Sequence, residues 1–321
     1  MTTVSKFPLL QLPQKEILRT IQSIDIYQKM SFSLTSKRCK RLVQSLQIKI
    51  KCISVIISSR IYITVSFSDW TLYIRFENCI MQREARKKRL RAPQWVEADS
   101  RRLERIGFEY SDWLKHFQDI FHCPSTATIS FFQGTCVYDI DDIKEGFGAT
   151  KTLYARHTGC YAYNLALLQK ILPIENLTIN PNMFQDSKIP FKILQQNYTT
   201  LDIISDSTTE MTLNELLVMN SKTITMTDVR VSAQDLNKFI KLWIQGSNSR
   251  MEYFLIHTLN HFEYDRTMVM KGIKKSNERR EDMDVHSIDI YRMDGTRATV
   301  SFFYGGIEIS IVLITMLQNS N

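Results

Sequence analysis

Several residues in this chain could do chemistry if they converged. His116, His122 and Cys123 lie close together and Asp112 stands one helical turn before His116, which are the donor types of a metal site. Two ligands on a helix and two in the following turn rarely close a tetrahedron, so packed side chains are the simpler reading. His157 and Cys160 have the composition of a thiol–imidazole dyad, but no third residue is placed to orient the ring. Gly146-x-Gly148-x-x-Lys151 lacks the Gly-Lys-Ser/Thr ending of a phosphate loop and precedes a strand, so it reads as a turn. Asp139, Asp141 and Asp142 imitate the start of a calcium loop. Ile143 stands where an oxygen ligand is needed and no glutamate closes the loop, so a helix start is expected there. There is no Cys/His ladder of the RING type. No catalytic residue, metal or cofactor is assigned, and no small-molecule substrate.

The elements around these residues are those of a globular protein. The 321 residues are 44% hydrophobic and 23% charged, enough to bury a large core and to form about two domains. No secretory signal and no apolar run of membrane-spanning length is seen; Ile307 to Leu317 carries Glu308 and reads as a buried strand. The six cysteines form no Cys-x-x-Cys pair, and as packing residues they are expected to stay reduced in the cytoplasm or nucleus. The Asn176 and Asn197 sequons are for the same reason expected to be unmodified. Much of the net charge of +8 sits in Arg83, Arg86, Lys87, Lys88, Arg89 and Arg91. Such a run is usually a solvated helix or linker, with nuclear import the next reading; nothing accompanies it that would favour nucleic acid.

The strongest signal is at the amino terminus. Phe7, Pro8, Leu9, Leu12, Ile17, Leu18 and Ile21 recur at helical spacing around the Leu12-Pro13 pair, and a short basic helix with Leu34 and Leu42 follows. This hairpin is too short to close its own core. Another protein could cover its apolar face, or it could fold onto its own chain.

The pattern resembles the F-box, a Leu-Pro pair opening one helix and a Ser-Lys-Arg-x-x-(Lys/Arg)-Leu run in a later one, matched by Leu12, Pro13, Ser36, Lys37, Arg38, Arg41 and Leu42. The resemblance implies docking onto the Skp-type adaptor of a cullin-based ubiquitin ligase. The docking residues would be Phe7, Pro8, Leu9, Leu12, Pro13, Ile17, Leu18, Ile21, Leu34 and Leu42.

Three β-rich runs between Gln47 and Phe76 predict an antiparallel meander, followed by charged helix or loop to about Gly107. Short apolar strands then begin at Ile129, Leu153, Leu177, Leu201, Ile224 and Met251, at intervals of 24, 24, 24, 23 and 27 residues, the period of a leucine-rich repeat. Ile174-x-x-Leu177-x-Ile179-x-x-Asn182 fits that template, and Asp206 takes the ladder position in the next copy. Helices are expected over Tyr161 to Leu172, Met211 to Met219 and from Ser232, as N-cap, to Gly246. Hairpins turning at Asp294-Gly295 and Gly305-Gly306 would cap the open end.

The fold class is therefore α/β: an N-terminal helical F-box over residues 5–46, a β meander and basic linker over 47–110, and a leucine-rich-repeat-like α/β solenoid with a C-terminal hairpin cap over 111–321. A conventional α/β sandwich is the competing architecture. The Asn237 to Trp243 helix and the Asp289 to Ala298 hairpin resemble the type 2 F-box-associated region of the nematode F-box B family, which is taken to recruit substrates.

These readings converge on a non-catalytic substrate-recognition subunit that links adaptor, and through it cullin, to a target protein. The alternative is a protein-binding scaffold acting without a cullin. Side chains flanking each core pair of a repeat strand share one face. That predicts Phe132, Tyr154, Arg156, Asn180, Asp202, Ile204, Thr227, Glu252 and Phe254 as the recognition surface.

Overall fold

A computed structural model describes residues 9–77, 93, 95–258, 264–276, 278–282, 285–303 and 306–311. The chain divides into two compact units between Thr150 and Lys151.

The first unit opens with a 3₁₀ turn, Leu9–Gln11, and three helices: α1 (Gln14–Ser23), α2 (Ile26–Thr35) and α3 (Lys37–Gln44). Pro13 precedes α1 with the φ that a helix start requires. A capping box starts α2, where Asp25 accepts from the Gln28 N–H at 2.8 Å and Gln28 accepts from the Asp25 N–H at 3.2 Å. Ser36 ends α2 and caps α3 by accepting from the Cys39 N–H. The expected hairpin is thus a three-helix unit. Ile26, Tyr27, Met30, Phe32 and Leu34 spread around α2 rather than along one stripe, which hid it from periodicity.

The meander follows as β1 (Cys52–Ile57), β2 (Ile61–Ser66) and β3 (Thr71–Glu77). In place of the expected charged helix or loop, β4 (Trp95–Ala98) and β5 (Arg101–Leu103) extend the same antiparallel sheet. The intervening turn takes positive φ at both Asp99 and Ser100, as a two-residue hairpin demands. Arg75 bridges β3 to Glu97 of β4 at 2.8 Å, and Arg102 stacks on Trp95 at 3.9 Å. The sheet's inner face packs on α4 (Tyr110–Ile120), with Phe76 against Tyr110 at 4.7 Å. Strand β6 (Thr128–Phe131) then returns parallel to β1, and α5 (Ile140–Phe147) starts where Asp139 accepts from the Asp141 N–H, the helix start expected there. Residues 111–150 therefore group with the amino-terminal unit, whereas the sequence placed them with the repeats.

The second unit is a mixed sheet. Five parallel strands, β7 (Thr152–Ala155), β8 (Asn176–Ile179), β9 (Thr200–Glu210), β10 (Thr223–Arg230) and β11 (Tyr253–His257), pair in chain order. They are joined through α6 (Tyr161–Ile171), α7 (Phe191–Leu194), α8 (Leu213–Val218) and α9 (Ala233–Ile244). Ser232 and a left-handed Gly246 delimit α9 as expected. Leu153, Leu177, Leu201, Ile224 and Phe254 form one register column. Met251 was the expected member; the longer path after α9 delays β11, and Phe254 takes the place. The predicted Asn182–Asp206 ladder is also absent: Asn182 sits in a 3₁₀ turn accepting from Ser187, while the buried Asn180 donates to Asp206 at 2.8 Å.

After α10 (Arg266–Val269) come β12 (Glu278–Asp282), β13 (Val285–Tyr291), β14 (Arg297–Phe303) and β15 (Gly306–Ile311). Strand β15 pairs antiparallel with β11 and β14, so the carboxy-terminal strands cover the edge of the parallel stack, as expected of a cap. The first hairpin turns at Asp294-Gly295; Gly305 lies outside the described residues.

Gly134 leaves no room for a side chain, because a Cβ there would lie 2.6 Å from the Ser59 nitrogen at a φ of +94°. Gly134→Ala is expected to cost about 1–3 kcal/mol in denaturant titrations. Gly148 has open space for a Cβ, but at φ 70° and ψ −161° it holds a backbone conformation essentially confined to glycine, so Gly148→Ala should cost about 1–3 kcal/mol through strain alone.

Candidate protein-interaction surfaces

The three-helix unit is fastened to the rest of its own domain through α4. Lys40 of α3 pairs with Asp119 at 2.6 Å, Gln44 donates to the Asp119 carbonyl, and the His122 ring meets the Gln44 carbonyl at 2.7 Å. Arg101 reaches Asp25 at 2.7 Å, and Arg105 donates to the Leu34 carbonyl at 2.8 Å. At the centre, Ser33 of α2 meets His116 of α4 at 2.8 Å. The single Ser33 hydroxyl hydrogen goes to the Met30 carbonyl, so the His116 Nε2 must carry the hydrogen of this bond. Burial, with Lys40 next and Arg105 adding, pushes the His116 pKa down to about 4 against the opposing pull of Asp119.

This arrangement sorts the expected docking residues. Ile17 and Ile21 are 1% and 0% exposed, and Leu34 and Leu42 are also buried. They are chiefly core of the helical unit, a correction to the reading that placed them all on an open face; the short helices close on one another and on α4. Leu12 and Leu18 are half-buried and Pro13 is exposed. Phe7 and Pro8 lie outside the described residues, and only the backbone of Leu9 is described. Between α1 and α3 a surface cleft of about 220 Å³ is lined by Gln14, Ile17, Arg38, Arg41, Leu42 and Ser45. It has an apolar floor and a cationic rim, and Ile17 and Leu42 contribute to it from beneath. Sequence periodicity missed Arg38 and Arg41 as lining residues, although their spacing on one face of α3 was available.

In the second unit, Phe239 of α9 packs on Phe254 at 5.1 Å, which marks the helix-covered face of the parallel strands. Phe254 is wholly buried and is withdrawn from the recognition surface; the strand begins later than expected, so it falls on the core side. The opposite face carries Thr152, Asn176, Thr200, Thr223 and Tyr253 in one row and Tyr154, Thr178, Asp202, Thr225 and Leu255 in the next. Its polar groups are tied to each other. Asp202 accepts from Thr178 at 3.1 Å and from Thr225, Asn176 donates to Thr152, and Arg156 donates to Tyr154 at 2.7 Å while pairing with Asp206 at 3.3 Å. Ile204 and Thr227 stand side by side further along. Asn180 is buried, and Glu252 precedes β11 and pairs with Lys222. Phe132 follows β6 in the first unit and is half-buried.

The residues considered for chemistry make structural contacts instead. Asp112 completes the α4 cap by accepting from the Glu109 N–H, and no His/Cys/Asp/Glu cluster able to hold a metal occurs among the described residues. His157 accepts from the Gly159 N–H at 2.9 Å and packs edge-on against Tyr161, and Cys160 is exposed at the start of α6. The basic run Arg83 to Arg91 lies outside the described residues. No described helix is long and apolar enough to cross a membrane.

Two family models fall on the capped three-helix unit and on the mixed α/β region that follows it. The F-box domain model matches residues 9–51, ending where β1 begins, and the F-box associated model matches residues 189–256, from α7 through β11. The chain thus carries an N-terminal F-box and an F-box-associated region. It is similar to the F-box associated domain-containing protein sdz-33 of Caenorhabditis elegans, 24% identical over 299 residues that span 92% of this chain and 93% of that protein. Neither matched model describes an enzyme family. No solved structure matches.

His116 makes the seam between F-box and α4 acid-sensitive. Its folded pKa, about 4, lies below the unfolded value near 6.5, so the unfolded chain takes up the proton first as pH falls. The stabilisation is complete above about pH 6.5 and is lost towards pH 4, at most roughly 3 kcal/mol. Urea midpoints measured between those limits should fall for the wild type and flatten for His116→Gln.

Proposed function

We propose that this chain is the substrate-recognition subunit of a cullin-based ubiquitin ligase. Its F-box holds the Skp-type adaptor and its F-box-associated sheet holds a target protein for ubiquitination. F-box domains generally bind such adaptors, and the observation that carries the reading is how the F-box surface is divided. The α2 and α3 side is occupied by α4, while the cleft between α1 and α3 is left to solvent with Ile17 and Leu42 below and Arg38 and Arg41 at its rim. An apolar side chain flanked by carboxylates on the adaptor would fit it. The catalytic contribution is proximity: tethering raises the concentration of target lysines near a charged conjugating enzyme without supplying acid, base or nucleophile. Such a subunit works in the cytoplasm or nucleus.

For the target we propose the exposed sheet face, with Tyr154, Arg156, Asp202, Ile204 and Thr227 as contacts. Aromatic and arginine side chains dominate buried anchors, which favours Tyr154 and Arg156.

Purified adaptor tests the first half. Leu12→Asp should abolish capture, and Arg38→Glu with Arg41→Glu should weaken it at least about tenfold, both without loss of helicity. Ile17→Asp would instead bury a charge in the F-box core and unfold it. Normal binding by the Arg38/Arg41 variant would remove the cleft from the interface, and normal binding by Leu12→Asp would remove Leu12. Proximity labelling under proteasome inhibition tests the second half, with Tyr154→Ala/Arg156→Ala expected to lose the targets that the wild type marks.

A further inference from the structure

The outer face of the parallel strands continues onto the carboxy-terminal cap. Glu308 of β15 stands opposite Leu255 of β11 and opposite Ser301 of β14, and Phe303 of β14 stands opposite Gly306. A Cβ at Gly306 would lie 2.3 Å from the Ile256 carbonyl and 2.5 Å from the Phe303 ring, so the glycine leaves that ring room to lie over the strand. Phe303 also stacks on His257 of β11 at 6.3 Å. Charge sets this face apart from the rest of a chain whose net charge is +8. Its Arg156, Arg297 and Lys222 are already spent on Asp206, Asp289 and Glu252. Asp202 and Glu308 are left with hydroxyl partners, Thr178 and Thr225 for the one and Tyr253 for the other, and neither has a cation partner among the described residues. The two carboxylates share one row, with Thr225 and Leu255 between them. Three strand spacings separate them, about 14 Å, which is the reach of about four residues of an extended chain whose alternate side chains face the same way.

We propose that this face takes a cationic segment of the target, an extended stretch with lysine or arginine at two positions about four residues apart and an apolar residue midway. Its cations meet Asp202 and Glu308, and its apolar side chain lies over Thr225 and Leu255. Charge complementarity selects this occupant: an acidic segment would face two carboxylates with no cation to answer it, and a wholly apolar one would bury both unpaired. Phe303, one rung along from Glu308, offers a ring face to the same cation. The inference rests on the reading of the sheet as the target surface and extends that surface to the cap, beyond the segment matched by the F-box associated model.

A random peptide library panned on the purified full chain tests it, with the selected peptides then titrated by fluorescence anisotropy. Basic residues about four apart should be enriched, and affinity should fall as salt rises. Glu308→Gln removes one charge while keeping an acceptor for Tyr253, and should weaken the selected peptides at least about threefold. Glu308→Lys should weaken them about tenfold or more and move selection at one end to aspartate or glutamate. Both variants should keep the wild-type thermal midpoint and capture adaptor as the wild type does. Selection without an excess of lysine and arginine, or binding by Glu308→Lys within about twofold of the wild type, overturns the inference. A chain that marks targets in proximity labelling but selects no basic peptide overturns the inference alone; one that marks no targets overturns the functional reading with it.

Discussion

Helix α4 must be covered on two sides, and the architecture of the first unit follows from that requirement. Trp113, Phe117 and Ile120 are fully buried, and Tyr110, Leu114 and His116 nearly so. The meander covers one side through Phe76. The F-box covers another, and there the contacts are polar as well as apolar: Ser33 to His116, Lys40 to Asp119, Gln44 to the Asp119 carbonyl. The half-exposed ion pair contributes little energy by itself. Its value is positional, since together with the buried imidazole it permits one seating of α2 and α3 on α4. A greasy contact alone would allow several.

That seating explains why the amino terminus read as incomplete. A helical hairpin with too much apolar surface was legible in the spacing of Leu12, Ile17, Leu18 and Ile21, but spacing does not say what covers the surface. Part of the cover is α2, whose apolar residues circle the helix, and α2 and α3 are in turn fastened to α4, far along the chain. His116 and His122 drew attention as possible ligands because of their types. Each in fact bonds to the F-box, and only the fold could reveal that.

The second unit was more legible. Parallel strands recur with a regular period because each strand–helix unit must hide its apolar side on a neighbour. Leu153, Leu177, Leu201 and Ile224 were therefore placed in one register from sequence. The reading slipped at Met251, where the segment after α9 is longer, and a strand taken to begin too early puts Phe254 on the wrong side. Strands β4 and β5 escaped notice because they are short, four and three residues, too few for the alternation of Val96 and Ala98 with Trp95 and Glu97 to stand out from the surrounding charge.

The outer face of the parallel strands has one more implication, for how such a surface can diverge. Several of its polar side chains are tied to neighbours on adjacent strands, and Asp202 answers to both Thr178 and Thr225. Replacing one member changes the partners of several others, so substitutions on this face are expected to be coupled across neighbouring strands. Double-mutant pairs across Asp202 would therefore be non-additive.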